Sequence, residues 1–192
     1  MQRKLISTIM LIGVISISLF FVGCKFDNKN INKSEKKIYG KSKIQDIKDL
    51  LKMYPLDYNS DEAIKDGLFV ISDNSIVGGE ENWNDFISKV GDKKNDSIIV
   101  ATISNKGDMR LMYLSYLDNK FFSYFDMTRF KDSGIDYYSS DEYKFLKIYD
   151  VLGESNIALV NDESITYEEI ENDLANGLVT SCNLFTFKND ND

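Results

Sequence analysis

Hydrophobic positions along the chain follow two periods, one typical of helices and one typical of strands. Helical spacing occurs in four segments, at 42–54, 61–66, 83–90 and 166–176. The first and last of these begin with capping boxes, in which Ser42 pairs with Gln45 and Thr166 pairs with Glu169. Pro55 ends the first segment and Gly177 ends the last.

Strand-type patterns occupy the centre and the end of the chain. Segments 96–104, 109–117 and 121–128 are separated by the short polar stretches 105–108 and 118–120, which predict a three-stranded meander. Further strands are predicted at 68–72, 142–152, 157–160 and 178–187. We therefore predict an α+β fold, with an antiparallel sheet of about five to six strands and helices packed on one face.

The N-terminus has the layout of an export signal. A short basic segment, Met1–Lys4, precedes the uncharged run Leu5–Val22. The run ends in Phe21, Val22, Gly23 and Cys24, which resemble the lipobox of bacterial lipoproteins. That resemblance implies a signal peptide over 1–23 and a diacylglycerol on the Cys24 thiol. An additional acyl chain on the amino group of Cys24 is left open, and no other cofactor is expected.

An uncleaved membrane-spanning anchor is the alternative, because the apolar run approaches the length needed to cross a bilayer. Both interpretations place the rest of the chain at the cell membrane, on its outer, extracytoplasmic face. Residues 24–43 are rich in lysine and asparagine and predict a flexible tether. Residues 44–188 are expected to form a single α+β domain, followed by a polar tail at 189–192.

Composition excludes several kinds of chemistry. The chain contains no histidine, which rules out Ser-His-Asp and Cys-His nucleophiles and histidine zinc sites. Beyond residue 23 there remain 21 basic and 31 acidic side chains. An acidic body argues against nucleic acid as a partner, because phosphate binding requires a basic surface. Membrane attachment is therefore expected to depend on the lipid.

Cys182 is the second of the two cysteines. With Cys24 modified, Cys182 has no intramolecular disulfide partner, so a fold held by disulfides is excluded. We expect Cys182 to be a buried small apolar residue, with an intermolecular disulfide as the alternative.

From Ser60 to about Leu152 the chain resembles a family of small Gram-positive lipoproteins that share a domain of unknown function. The resemblance rests on segments 61–67, 83–90, 93–98 and 118–126. It implies secretion and a shared fold, and it carries no catalytic motif. Members of that family often carry a pair of late cysteines, whereas this chain has only Cys182.

No catalytic or metal-binding constellation is visible among the abundant carboxylates. Glu80-Glu81 and Glu168-Glu169 fall in first helical turns, where acids favour the helix dipole. The stretch from Asp57 to Glu62 lacks the glycine and the late glutamate of a calcium loop. We expect no enzymatic activity, and we keep a carboxylate-based envelope hydrolase as an alternative.

Aromatic residues are dense between 113 and 149. Tyrosine combines apolar area with a hydrogen-bonding tip, which suits protein or glycan contact. We therefore predict a binding surface on the central sheet and the loop 129–141, for a protein or cell-wall partner. A second layer of core is the structural alternative, and an anchored immunity factor is a further functional one. The candidate surface residues are Tyr113, Tyr116, Tyr124, Tyr137 and Tyr138.

Overall fold

The computed structural model describes residues 43–131, 134–177 and 181–188. The predicted signal peptide and lipobox, nearly all of the predicted tether and the predicted polar tail lie outside these residues. Four helices occur in the described part: α1 (Ile44–Leu51), α2 (Ser60–Lys65), α3 (Glu80–Gly91) and α4 (Tyr167–Ala175). None of them is long and apolar enough to cross a membrane.

Nine strands occur in the same residues. Their bounds are β1 (Phe69–Ser72), β2 (Ser75–Gly78), β3 (Asp96–Ile103), β4 (Met109–Leu117), β5 (Lys120–Asp126), β6 (Tyr137–Ser139), β7 (Phe145–Val151), β8 (Glu154–Val160) and β9 (Ser181–Lys188). They form a six-stranded sheet in the order β2-β1-β3-β4-β5-β6 and a three-stranded sheet in the order β7-β8-β9. Only the β1–β3 pair is parallel.

The predicted α+β class with a largely antiparallel sheet is confirmed, and so is the β3–β4–β5 meander. The layering differs from the prediction. Helices α1 and α2 cover one face of the large sheet, whereas α3 and the small sheet cover the other. Helix α4 packs on the far side of the small sheet through Ile170. The large sheet is therefore buried on both faces.

Local signals explain most helix boundaries. Thr166 and Glu169 form the predicted capping box at the start of α4. Helix α2 begins with a capping box between Asn59 and Glu62. Lys43 at the start of helix α1 makes no side-chain cap, and Gln45 donates from Nε2 to Oδ1 of Asp49 at 2.8 Å. Ser42, the other residue of the predicted box, lies outside the described residues.

Helix α3 presents the predicted apolar face to the core. Trp83 and Phe86 are buried, and Ile87 and Val90 pack against the same cluster. The Trp83 ring stacks on Phe69 of β1, with ring centroids 5.4 Å apart. This contact joins the helix to the neighbouring parallel strand.

Candidate functional site

Three of the five tyrosines predicted to form a binding surface are buried, so that prediction was wrong for them. Tyr113, Tyr116 and Tyr124 are 2%, 5% and 4% exposed. Tyr113 and Tyr124 pack beneath α1 and α2, and Tyr116 packs in the cluster on the opposite face. The physical reason is that both faces of the large sheet are covered, so its aromatic residues form two core layers.

The other two tyrosines lie on the short edge strand β6. Tyr137 is half-buried, with the Lys48 Nζ 4.0 Å from its ring centroid. Tyr138 is 39% exposed, but its ring stacks on Phe125 at 4.2 Å between centroids. Only Tyr138 therefore offers substantial exposed aromatic area, and it does not form a continuous surface with the three buried tyrosines.

The loop predicted for partner contact, 129–141, begins with a residue that is part of the core. The Arg129 guanidinium is buried, and it donates to the Asp126 carboxylate and to carbonyl oxygens at the end of α1. Exposed apolar area in the described part of this loop comes from Ile135, which is 57% exposed, and from Tyr138. Arg129, the first residue of the loop predicted for partner contact, therefore belongs to the core.

The predicted modification sites have different outcomes. Cys24 and the lipobox residues Phe21, Val22 and Gly23 lie outside the described residues, so lipidation stays a prediction. Cys182 is partly buried against the core, and its Sγ lies 3.8 Å from the Ser123 Oγ. Burial raises the pKa of the Cys182 thiol, which makes it a poor nucleophile at neutral pH.

Glutamates in two of the acidic stretches form capping boxes at helix N-termini. In the first stretch, Asn59 and Glu62 form the α2 cap described above. The Glu169 carboxylate accepts from the Thr166 backbone N–H at 2.8 Å, and this bond lowers the pKa of Glu169. Within the described ranges, no cluster of three potential metal ligands occurs.

An open groove of about 460 Å³ lies between α4 and the β7–β8 hairpin. Apolar, aromatic and amide side chains line the groove together with three carboxylates. The lining residues are Val151, Leu152, Glu154, Asn156, Tyr167, Glu168 and Glu171.

Hydrogen bonds hold the floor of the groove in place. The Oδ1 of Asn156 accepts from the Tyr167 hydroxyl at 3.2 Å and from the Thr186 hydroxyl at 2.8 Å. The Tyr167 ring also packs against Tyr149, with centroids 5.7 Å apart. Burial, and then the nearby Glu171 carboxylate, raises the pKa of Tyr167. The tyrosine hydroxyl is therefore a neutral donor at physiological pH.

Charge in the groove has one sign. Glu154, Glu168 and Glu171 line it, and none of the lining residues is basic. Glu168 and Glu171 are exposed on α4, and Glu154 is half-buried at the start of β8. Glu154 is fixed by a contact from Asn74 Nδ2 to its Oε1 at 3.4 Å. A cation entering the groove would meet carboxylates from both walls.

Leu152 at the tip of the β7–β8 hairpin is the most unusual residue of the groove. It is 99% exposed and has a φ of 52°, in the left-handed region that non-glycine residues seldom adopt. Leu152 and Gly153 both have positive φ, as a two-residue type I′ turn requires. The turn lies one residue earlier than the Gly153–Asn156 segment that the sequence predicts.

Two other hairpins of the fold use the same kind of turn with favourable residues. Asp73-Asn74 connects β1 to β2, and Asp118-Asn119 connects β4 to β5, all four with positive φ. Asn and Asp tolerate this conformation because their side chains bond locally to the backbone. Leu152 has neither this bonding nor burial to offset its strain. The turn sequence is Leu-Gly, whereas Asn-Gly is typical of such turns. This departure is the sequence feature that could have identified Leu152 as a strained residue.

A second, smaller cavity of about 150 Å³ lies near the β4–β5 turn. Lys120 and Glu142 contribute to its lining, and the Lys120 Nζ lies 3.2 Å from Oε2 of Glu142. The cation is thus already paired within the fold. This cavity has less room and less unbalanced charge than the hairpin groove, which we take as the candidate site.

Comparison with known proteins gives no relative for this chain. No protein-family model, no curated protein and no solved structure matches it. The candidate site therefore rests on its own geometry.

Proposed function

We propose that the chain is a lipid-anchored, extracytoplasmic binding module without enzymatic activity. The signal-like N-terminus and Cys24 support the anchor, and the hairpin groove supports the binding role. The observation that carries the binding role is Leu152, a fully exposed leucine in a strained backbone conformation beside an acidic groove. Residues with strained backbone conformations cluster at active sites and ligand-binding sites.

The partner that fits this groove is a basic segment of a protein. A lysine or arginine side chain would place its charged end among Glu154, Glu168 and Glu171, and its aliphatic stem would cover Val151 and Leu152. Such a segment would also gain from the acidic body during approach, because long-range attraction raises association rates. An anchored immunity factor against a basic toxin or peptide is one form of this role.

A carboxylate-based envelope hydrolase is the second candidate, favoured by the three glutamates in one groove. Glycoside hydrolysis needs two carboxyl groups on opposite sides of one bond. The distinguishing variant is Glu171→Gln, which keeps the shape of the side chain and removes its acid–base capacity. Turnover of a wall polymer by the native chain, lost in this variant, would establish the hydrolase.

The anchor is tested by metabolic labelling of expressing cells with a fatty acid analogue. The native chain and Cys182→Ala are expected to incorporate label, whereas Cys24→Ala is expected to lose it. Labelling that is unchanged in Cys24→Ala would remove the lipoprotein assignment and leave the groove proposal standing.

The groove is tested by placing a photo-crosslinking side chain at position 152 or, as control, at 56. Leu56 is also strongly exposed, at 72%, but it lies outside the groove. Capture of a basic protein from position 152 alone is expected. Glu168→Lys should abolish it, whereas Glu80→Lys should not, although both acids lie in first helical turns. Equal capture from both positions would contradict the proposal.

A further inference from the structure

The outer edge of β7 is exceptional among the edges of the two sheets. Strand β6 is only three residues long. The β9 edge is capped, because Arg110 Nη2 donates to the Leu184 carbonyl oxygen at 2.7 Å. At the β2 edge, the Asn74 carbonyl oxygen accepts from the Lys188 N–H at 2.6 Å. In the described part of the chain, β7 presents seven residues and has no strand paired on its outer side.

The hairpin geometry shows which backbone groups face outward from β7. A two-residue turn closes on a hydrogen-bonded pair, here Val151 and Glu154. Alternate pairs are then hydrogen-bonded in the same way, which includes Tyr149 with Asn156 and Lys147 with Ala158. Residues between them, Leu146 and Ile148, direct their N–H and C=O groups away from β8. These groups are placed to pair with an added strand.

Ile148 is the centre of this edge and is 45% exposed. Long, exposed edge strands with apolar side chains are templates for pairing, and folds usually cover or shorten them. The edge also differs in charge from the acidic body, since Lys144 and Lys147 stand near its start and Asp150 near its end. Repulsion between two acidic bodies is therefore weakest along this strand.

We infer that β7 pairs antiparallel with β7 of a second copy of this chain, about a two-fold axis at Ile148. This arrangement would join the two small sheets into one six-stranded sheet across the dimer. It is a closed, isologous contact, in which the same edge serves both copies. The inference does not depend on the lipid anchor or on the hairpin groove.

The side chains favour this register over its neighbours. With the axis at Ile148, the two Ile148 side chains face each other, and Lys147 faces Tyr149 of the second copy. Moving the axis to position 147 would place Lys147 opposite Lys147, and like charges directly opposite are destabilising. Moving it to position 149 would leave the exposed Ile148 opposite Asp150. Only the register centred on Ile148 places the two exposed Ile148 side chains against each other while keeping the two Lys147 side chains apart.

Cross-linking through single cysteines tests both the pairing and its register. The full chain, extracted from membranes of expressing cells, carries Cys182→Ser and one of Lys147→Cys, Ile148→Cys or Tyr149→Cys. Directly paired residues in a hydrogen-bonded pair lie about 5.5 Å apart between Cα atoms, within reach of a disulfide. Diagonal neighbours lie about 7–8 Å apart and react less readily.

Ile148→Cys is expected to give a covalent species of twice the chain mass, faster than either neighbouring variant. The Cys182→Ser chain without an added cysteine gives the background from Cys24. Fastest dimer formation by Lys147→Cys or Tyr149→Cys would overturn the register. Absence of a dimer in all three variants, or a cross-link to a protein of different mass, would overturn pairing with a second copy.

A second measurement does not depend on disulfide chemistry. Two differently tagged copies of the native chain, expressed together, are expected to be captured with each other from detergent extracts. Ile148→Lys in both copies should abolish this capture, since it places two cations opposite each other in the dimer. Ile135→Lys, at another exposed isoleucine outside β7, should leave capture unchanged. Capture that survives Ile148→Lys would contradict the inference.

Discussion

Arg129 and Asp126 form an ion pair inside the protein, with 2.8 Å between Nη1 and Oδ2 and side-chain exposures of 2% and 1%. The remaining guanidinium donors reach α1 and the segment just after it: Nε donates to the Pro55 carbonyl oxygen, and Nη2 donates to those of Tyr54 and Leu51. A single side chain thus fastens the first helix to the end of β5. Because α1 directly follows the predicted tether, this contact links the start of the predicted domain to the sheet.

Arg129→Met is expected to destabilise the fold strongly. The substitution leaves the Asp126 carboxylate buried without its cation, a change that typically costs about 3–5 kcal/mol. Urea denaturation can measure the loss through the fluorescence of Trp83, the only tryptophan, which is 4% exposed.

The control for this prediction is Lys94→Met. Lys94 pairs with Asp92 at 2.8 Å, but both side chains are largely exposed. Removing an exposed pair changes stability by about 1 kcal/mol or less. Equal effects of the two substitutions would show that the Arg129 network is not a principal contact of the fold.

Short-range signals account for the parts of the fold that sequence could predict. The Thr166–Glu169 capping box and the Asp118-Asn119 turn each depend on residues within one turn of chain, and both are present. The parallel pairing of β1 with β3 has no such signal, because it joins strands separated by β2 and α3. The division into two sheets was missed for the same reason.

The burial of the tyrosines also depends on contacts between segments that are distant in the sequence. Alternation places Tyr113 and Tyr124 on one face of the meander, and the structure pairs them in register. Periodicity does not say whether solvent or α1 lies over that face. In the candidate site, Glu154 and the two α4 glutamates come from segments more than ten residues apart, so their proximity could not be predicted from local sequence. Only the turn at Leu152 had a local sequence feature.

Gly79 is expected to tolerate no side chain. Its φ is 73°, and an added Cβ would lie within 1.9 Å of the Leu68 carbonyl oxygen. A backbone atom cannot move aside without disturbing β1, so Gly79→Ala should lower stability well beyond the cost of its backbone conformation. The measurement is the shift in the urea midpoint.

Gly107→Ala separates the cost of the left-handed backbone conformation from the cost of the steric clash. Gly107 has a similar φ of 81°, but an added Cβ there would meet nothing within 4 Å. Its substitution should cost only the left-handed strain, about 1–2 kcal/mol. If Gly107→Ala and Gly79→Ala cost the same, the close approach at Gly79 contributes nothing.

The protein is expected to lose stability at alkaline pH in part through Tyr54. Burial, and then the Asp66 carboxylate, raises the pKa of Tyr54 from 10.0 to about 12. The folded state therefore retains a proton that the unfolded state loses near pH 10. This contribution to stability is complete below pH 10 and disappears as pH rises to about 12.

Tyr54→Phe removes the ionisable group while keeping the ring in the core. Its free energy of unfolding should fall less steeply between pH 10 and 12 than that of the native chain. Urea denaturation at a series of pH values measures this slope. Parallel curves for the two proteins over that interval would contradict the assignment.

Replacement of Leu152 separates recognition from folding. Leu152→Asn converts the Leu-Gly turn into Asn-Gly, the sequence that type I′ hairpins prefer. Because Leu152 is fully exposed, no packing is lost, and relief of the left-handed strain should stabilise the fold by about 1 kcal/mol. The same variant should bind the basic partner more weakly, since the apolar wall of the groove is removed.

Leu152→Met is the matched control, because it keeps an apolar side chain in the strained turn. It should retain both the native stability and the native partner binding. The two readouts are the urea midpoint and the photo-crosslinking yield, with the cross-linker moved to position 151 on the same wall of the groove. A more stable Leu152→Asn chain with undiminished capture would mean that the leucine is not kept for recognition, and would remove the main support for the groove as a binding site.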